Sequence, residues 1–282
     1  MRTLVTGAAG QLGADVLKCL QKAPMEVIGV DLKEVDITDE NATHKFLNNC
    51  KPDVMVHCAA YTKVDQAEEE AALCESINIE GTRNIATACR DLDSVLCYLS
   101  TDYVFDGKSD MPYETQDPPN PISVYGRSKY EGEKLVAALV PKHYILRTSW
   151  VFGANGHNFV NTMLRLGKEN TKIRVVADQV GSPTYTVDLA GLIRDLIQTG
   201  KYGIFHGTNS GFCTWADFAE EIFRQMNWSV TVDRIPTSAY PLKATRPMNS
   251  RLSQQCLIDA GLSPLPAWQD GLTRFLREIN AI

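Results

Sequence analysis

The sequence predicts an α/β fold, a doubly wound parallel sheet carrying a smaller α+β lobe. Three observations predict it. Short apolar runs alternate with helix-period stretches through about residue 150. The first run ends in a glycine-rich turn and the second in an acid, Asp31. Beyond Trp150 the regular alternation loosens into shorter strands and helices, as expected of an appended lobe.

Leu4-Val5-Thr6 is the first strand, and Gly7-Ala8-Ala9-Gly10-Gln11-Leu12-Gly13 is the turn that opens the first helix. Leu12, Val16 and Leu20 share one face of that helix. Val27-Ile28-Gly29-Val30-Asp31 closes a βαβ unit of ~30 residues. Each glycine has a physical task. One makes the sharp turn, one lets backbone N–H groups approach a pyrophosphate, and one lets the helix pack on the strand. These are the requirements of a Rossmann-type dinucleotide site. Gly7, Gly10, Gln11, Leu12 and Gly13 are its candidate residues. Asp31 would accept from ribose hydroxyls and repel a 2′-phosphate, which favours NADH, with Lys33 near enough to moderate that preference.

Asp36-Ile37 would bond and cover an adenine ring, while Thr38 or Asp39 caps the next helix. Asp53 to Cys58 is the third strand, with His57 expected as a core histidine, and it enters Ala59-Ala60-Tyr61. Small residues at a strand's carboxyl end admit a ligand close to the backbone. Glu68-Glu69-Glu70 reads as a solvated helix start, and Asn78 falls mid-helix. Val95 to Ser100 is strand four. It ends at Leu99 and delivers Thr101 and Asp102 to the sheet edge, where a hydroxyl can meet a carbonyl oxygen. A proline-rich loop, Pro112 to Pro121, has the length of a binding loop.

Tyr125-Gly126-Arg127-Ser128-Lys129 follows at once. Four residues apart on a helix, Tyr125 and Lys129 share a face. A cation ~5 Å from a phenol at an effective dielectric of ~20 contributes roughly 3 kcal/mol to the tyrosinate, about two pKa units. The sequence therefore predicts an acidified phenol, usable as an acid or base at neutral pH. His143 to Ser149 is strand five, leading to Trp150 as an apolar wall or a core residue. Helices are expected over Asn158–Lys168 and Val187–Ile197, and strands over Ile173–Ala177 and Gly203–Gly207. Thr214 opens a helix with a capping-box-like start. Trp268, Leu272, Phe275, Leu276 and Ile279 form a core stripe on the last helix. The division expected is a dinucleotide domain over residues 1–149 with about 187–208, and a substrate lobe over about 150–186 with 209–282.

Bulk properties narrow the function classes. At 282 residues the chain can bury a substantial core, and a formal net charge of −6 argues against a nucleic-acid surface. The 8 Cys show no Cys-x-x-Cys and no zinc-type spacing, so reduced thiols and no metal are expected. No signal peptide or membrane-length apolar run is seen, and the expected location is the cytoplasm, with no membrane partner.

The Gly-x-x-Gly-x-x-Gly spacing resembles the extended short-chain dehydrogenase/reductase family. Four further stretches sharpen the likeness: Ser100 to Gly107, Tyr125 to Lys129, Arg147-Thr148-Ser149-Trp150 and Asp178-Gln179-Val180-Gly181-Ser182-Pro183-Thr184. In that order, with Cys58 to Asp65 and Arg246-Pro247, they are similar to the dTDP-4-dehydrorhamnose reductases. The resemblance implies NADPH or NADH as cofactor and a dTDP-sugar as substrate, whose 4-keto group is reduced. It implies Tyr125 as proton donor, Lys129 as holder of the nicotinamide ribose, and Thr101 as the third catalytic member. Thr101, Asp102 and Trp150 would lie along the sugar, and Arg246 is the cation favoured for the anionic substrate. Some members form a metal-bridged dimer through paired glutamates. Here the matching stretch carries Asp188, a homodimer stays open, and no obligatory active-site metal is expected. Two alternatives stay open as well: a nucleotide-sugar epimerase or dehydratase of the same fold, and a non-catalytic NADP-binding regulatory subunit.

Overall fold

The computed structural model describes residues 1–282. In the first half, β1 (Arg2–Thr6), α1 (Gln11–Leu20), β2 (Glu26–Val30), α2 (Glu40–Cys50) and β3 (Val54–His57) alternate regularly. Two short helices follow, α3 (Val64–Ala67) and α4 (Ala71–Glu75). A π-helical turn over Ser76–Gly81 then leads into α5 (Thr82–Asp91) and β4 (Val95–Thr101). The helix α6 (Val124–Leu139) precedes β5 (His143–Thr148).

The second half opens with β6 (Val151–Phe152), α7 (Phe159–Glu169) and β7 (Lys172–Val176). The short strands β8 (Val180–Gly181) and β9 (Thr184–Tyr185) lead into α8 (Thr186–Leu196) and β10 (Gly203–His206). The chain then runs through β11 (Asn209–Ser210), β12 (Cys213–Thr214), α9 (Trp215–Gln225) and β13 (Thr231–Ile235). It closes with α10 (Gln255–Asp259), β14 (Leu265–Ala267) and α11 (Trp268–Glu278).

The main sheet has the order β10-β5-β4-β3-β1-β2, and its strands are parallel throughout. Strand order reverses at β1, so the crevice outside the carboxyl ends of β1 and β3 is the topological switch point. Register places Thr6 beside His57 and Thr101 beside Thr148 on that rim. One face of the sheet is covered by a core with Val5, Val16, Leu20, Leu189 and Ile193. The other face is covered by Leu4, Leu47, Ile85, Leu96 and Val136. This is the doubly wound arrangement that the sequence predicts.

A separate core of Phe152, Val160, Phe218, Phe223, Trp268 and Phe275 builds the smaller lobe. The Trp268 stripe lies in it, with Leu272 and Leu276 fully buried. Local expectations are met at the caps. Asp39 accepts from the Ala42 N–H, and Thr214 and Asp217 form a reciprocal capping box.

One local reading needs correction. Glu68-Glu69-Glu70 leads from α3 into α4, with Glu70 at the N-cap of α4, but its carboxylates are not simply solvated. Glu68 accepts from the Val124 N–H at 2.9 Å, Glu69 pairs with Lys243, and Glu70 accepts from the Tyr61 hydroxyl at 2.7 Å, so all three carboxylates serve tertiary contacts. Asn78 falls mid-helix as expected, in the π-helical turn between α4 and α5, where one extra residue per turn redirects a side chain inward. His57 is a core histidine as expected. It lies between Thr6 Oγ1 at 2.8 Å and Thr82 Oγ1 at 3.3 Å, and burial lowers its pKa to about 3, keeping it neutral.

Candidate active site

A cleft of about 910 Å³ opens at the switch point. That volume is near the top of the range for small-molecule sites. The glycine turn forms its floor. Gly7 has φ +64, a left-handed conformation that disfavours a side chain, and an added Cβ would lie 2.8 Å from the Ala59 nitrogen. A Cβ on Gly13 would lie 2.1 Å from the Gly7 carbonyl, so α1 packs against the turn as the motif requires. Gly10 precedes α1 with no side-chain cap, leaving the first N–H groups of that helix free for an anion. These residues fit a dinucleotide pyrophosphate.

Gln11 ties this floor to the smaller lobe. It donates to the Val151 carbonyl at 3.1 Å and accepts from Asn158 at 3.0 Å. Asp31 stands at the β2 rim, one carboxylate oxygen accepting from the Ala9 N–H and the other from the Leu32 N–H. Asp36 turns one oxygen to Thr38, and the Ile37 carbonyl is fixed by Asn84 at 2.9 Å. Leu12, Asp31, Asp36, Ile37, Ala59, Ala60 and Leu99 all line the cleft.

The opposite wall carries Tyr125, Lys129, Thr101, Asp102 and Trp150. Tyr125 lies in the first turn of α6, which Ser123 caps by accepting from the Gly126 N–H at 3.1 Å. The helix is fixed from below. Asn78 grips the Tyr61 backbone through both its N–H and its carbonyl, and also donates to Ser128 at 2.9 Å. Ser128 in turn donates to the Tyr125 carbonyl at 2.8 Å. One turn beyond Lys129, Glu133 makes a fully buried pair with Arg147 at 2.7 and 2.9 Å and accepts from Ser100. The dyad helix, β4 and β5 are thereby locked in one register.

The electrostatics differ from the sequence expectation. The Tyr125 phenol is pushed up, not down, because burial penalises the phenolate more than its neighbours help it. The nearby Thr101 hydroxyl pulls it back only partly, since Thr101 Oγ1 donates to Asp102 at 3.0 Å. Burial also lowers Lys129 to about 7, against some support from Glu133. Its ammonium rests 4.0 Å from the centre of the Tyr98 ring. The cation is itself desolvated and half discharged near neutrality, so its field on the phenol is weakened. Asp102 is raised to about 6 by burial, and its Oδ2 has no hydrogen-bond partner.

Two expected residues lie outside the cleft lining. Tyr61 is buried behind it, its backbone held by Asn78 and its hydroxyl by Glu70. Arg246 is engaged by Asp65 through two hydrogen bonds, at 2.6 and 3.0 Å. Asp188 has both oxygens taken by Arg274 and one also by Asn209. The structure adds lining residues that the sequence reading passed over: Thr62, Leu73, Ser76, Ile77, Tyr103, Thr148 and Ser149. For Thr148 a signal existed. It is a hydroxyl at a strand's carboxyl end, like Thr101, and its buried Oγ1 has no partner.

This architecture, with a tyrosine–lysine dyad facing a glycine-turn crevice, defines a Rossmann-type nicotinamide-dependent oxidoreductase. The model of the RmlD substrate binding domain family matches residues 1–281, and the chain belongs to that family. A dTDP-4-dehydrorhamnose reductase of Aggregatibacter actinomycetemcomitans is 41% identical over 294 residues, covering 99% of this chain and 98% of its own length. The crystal structure of a dTDP-4-dehydrorhamnose reductase from Clostridium acetobutylicum superposes with a TM-score of 0.97 at 43% identity, covering 99% of this chain and all of that one. That of the Bacillus anthracis reductase, in complex with NADP, gives 0.96 at 44% identity, covering 98% and 99%. No helix of this chain is long and apolar enough to cross a membrane.

Proposed function

We propose that this chain reduces the 4-keto group of dTDP-4-dehydrorhamnose to give dTDP-L-rhamnose, with NADPH or NADH as reductant. The observation that carries the reading is the convergence of Tyr125, Lys129 and Thr101 on the cleft floored by Gly7 to Gly13, in a chain of this family. When bound, the reduced nicotinamide would supply hydride to the carbonyl carbon. The protein handles the oxygen. Tyr125 donates to it and releases its proton as alkoxide character builds, and Thr101 donates as well once its hydroxyl turns away from Asp102. A phenol pushed up by burial is held protonated, the form a donor must have, and an alkoxide is basic enough to take that proton. Lys129 then stabilises the tyrosinate left behind.

On this reading residues 1–149 with about 187–208 hold the dinucleotide, and about 150–186 with 209–282 embrace the sugar nucleotide. Asp102 and Trp150 contact the sugar. The work is cytoplasmic, and pairing into a homodimer is compatible with it. A dehydratase is less well supported, because Asp102 is followed by Tyr103, not by the glutamate of an acid pair. The test offers dTDP-4-dehydrorhamnose with NADH and NADPH separately to purified protein. Oxidation of either cofactor supports the reading, and oxidation of neither overturns it.

A further inference from the structure

Trp150 is the cleft residue whose placement is hardest to explain locally. Its φ is +48, a left-handed conformation that a bulky side chain rarely adopts. Such a conformation is strained and persists only where the surroundings over-determine it. Here they do. The indole stacks face to face on Trp215, with ring centres 3.5 Å apart and planes 10° apart. A Cβ at Gly181 would lie 2.5 Å from the Trp150 ring, so only glycine fits there. The Trp150 carbonyl accepts from the Thr184 N–H at 3.1 Å, and Ser149 donates to the Ser182 carbonyl at 2.9 Å.

The second ring is fixed in its turn. Trp215 is the first residue of α9, behind the capping box of Thr214 and Asp217. Its indole N–H donates to Gln179 Oε1 at 3.2 Å, and the buried Gln179 donates to Thr237 at 3.0 Å. Phe159 covers another side of Trp215, with ring centres 4.7 Å apart. The stretch Asp178 to Thr184 therefore has a physical task, because its Gln179, Gly181, Ser182 and Thr184 all act on the Trp150 wall or on the ring that backs it.

We propose that Trp215, oriented by Gln179, is a positioning residue for the sugar nucleotide: it holds Trp150 in its strained conformation as the rigid wall of the substrate side of the cleft. The inference rests on the reading of Trp150 as a substrate contact, so the experiment includes that residue.

Trp150→Leu, Trp215→Leu, Trp215→Phe and Gln179→Leu are compared by steady-state kinetics with dTDP-4-dehydrorhamnose and by NADPH titration. An aromatic stack is worth ~0.5–1.5 kcal/mol, so Trp215→Leu should raise the KM for the sugar nucleotide about three- to tenfold. The same variant should leave kcat and NADPH affinity within about twofold, and Trp215→Phe should restore most of the loss. Gln179→Leu leaves the ring in place but removes its anchor, and should raise that KM in the same direction. It carries the test alone if Trp215→Leu does not fold. A Trp215→Leu or Gln179→Leu enzyme with unchanged KM overturns the proposal, as does an equal loss of sugar and NADPH binding. If Trp150→Leu itself leaves KM unchanged, the reading of Trp150 as a substrate contact fails, and the proposal with it.

Discussion

Replacing Lys129 by methionine should stabilise the protein while removing its activity. Lys129 is only 3% exposed, and its pKa is lowered from an ordinary 10.5 to about 7. Between those values the unfolded chain binds a proton that the folded site releases, so stability rises with pH across that window. At pH 7 the difference costs the fold about 4 kcal/mol. The ammonium recovers part of this on the Tyr98 ring, about 1 kcal/mol, which methionine would forfeit. Methionine has similar length and no charge, so the net gain should be about 3 kcal/mol, or about 6–12 °C in melting temperature. Thermal unfolding of cofactor-free protein at pH 7 and pH 9.5 reads it. By pH 9.5 the gap should shrink to about 1–1.5 kcal/mol, because the folded lysine is then neutral and only about one pH unit separates the solution from the unfolded pKa. A variant no more stable than the parent at pH 7, or a gap that does not change with pH, would refute the reasoning.

Tyr125→Phe should lower kcat by about 10²–10⁴-fold while NADPH still binds and the protein still folds, as fluorescence titration and circular dichroism would show. A rate within a few-fold of the parent would remove Tyr125 from the mechanism. The pH profile of kcat/KM, which reports the free enzyme, should be bell-shaped and narrow. On the proposed reading Asp102 meets the sugar as a charged acceptor and loses that charge below about 6, while Lys129 acts as a cation and loses its proton above about 7. Asp102→Asn should abolish the acidic limb and leave the basic one. A flat profile between pH 5 and 8 would contradict both assignments.

Much of this site could be read along the chain, because its parts are local. The glycine turn spans seven residues, and the dyad is an i,i+4 pair at a helix start. Thr101 follows from its position at a strand end. Features set by distant partners were out of reach. Nothing near Arg246 in sequence reveals that Asp65, 181 positions away, takes its guanidinium. The Trp150–Trp215 stack likewise joins residues from separate elements with no shared period. The π-helical turn that aims Asn78 has no distinctive residue pattern. The dyad's electrostatics were misjudged for a different reason. The coupling of Tyr125 and Lys129 follows from spacing, but the burial that outweighs it is a property of the assembled core. Glu133, by contrast, sits four residues beyond Lys129 and was available to the same i,i+4 reasoning.

The most direct trial is isotopic. Purified protein would be given dTDP-4-dehydrorhamnose and NADPH carrying deuterium at the transferable position of its nicotinamide, and the sugar product would be read by NMR. A hydride-transferring reductase leaves one deuterium at C4 of dTDP-L-rhamnose for each NADPH oxidised. An unlabelled C4, or product formed with no net consumption of NADPH, would contradict it.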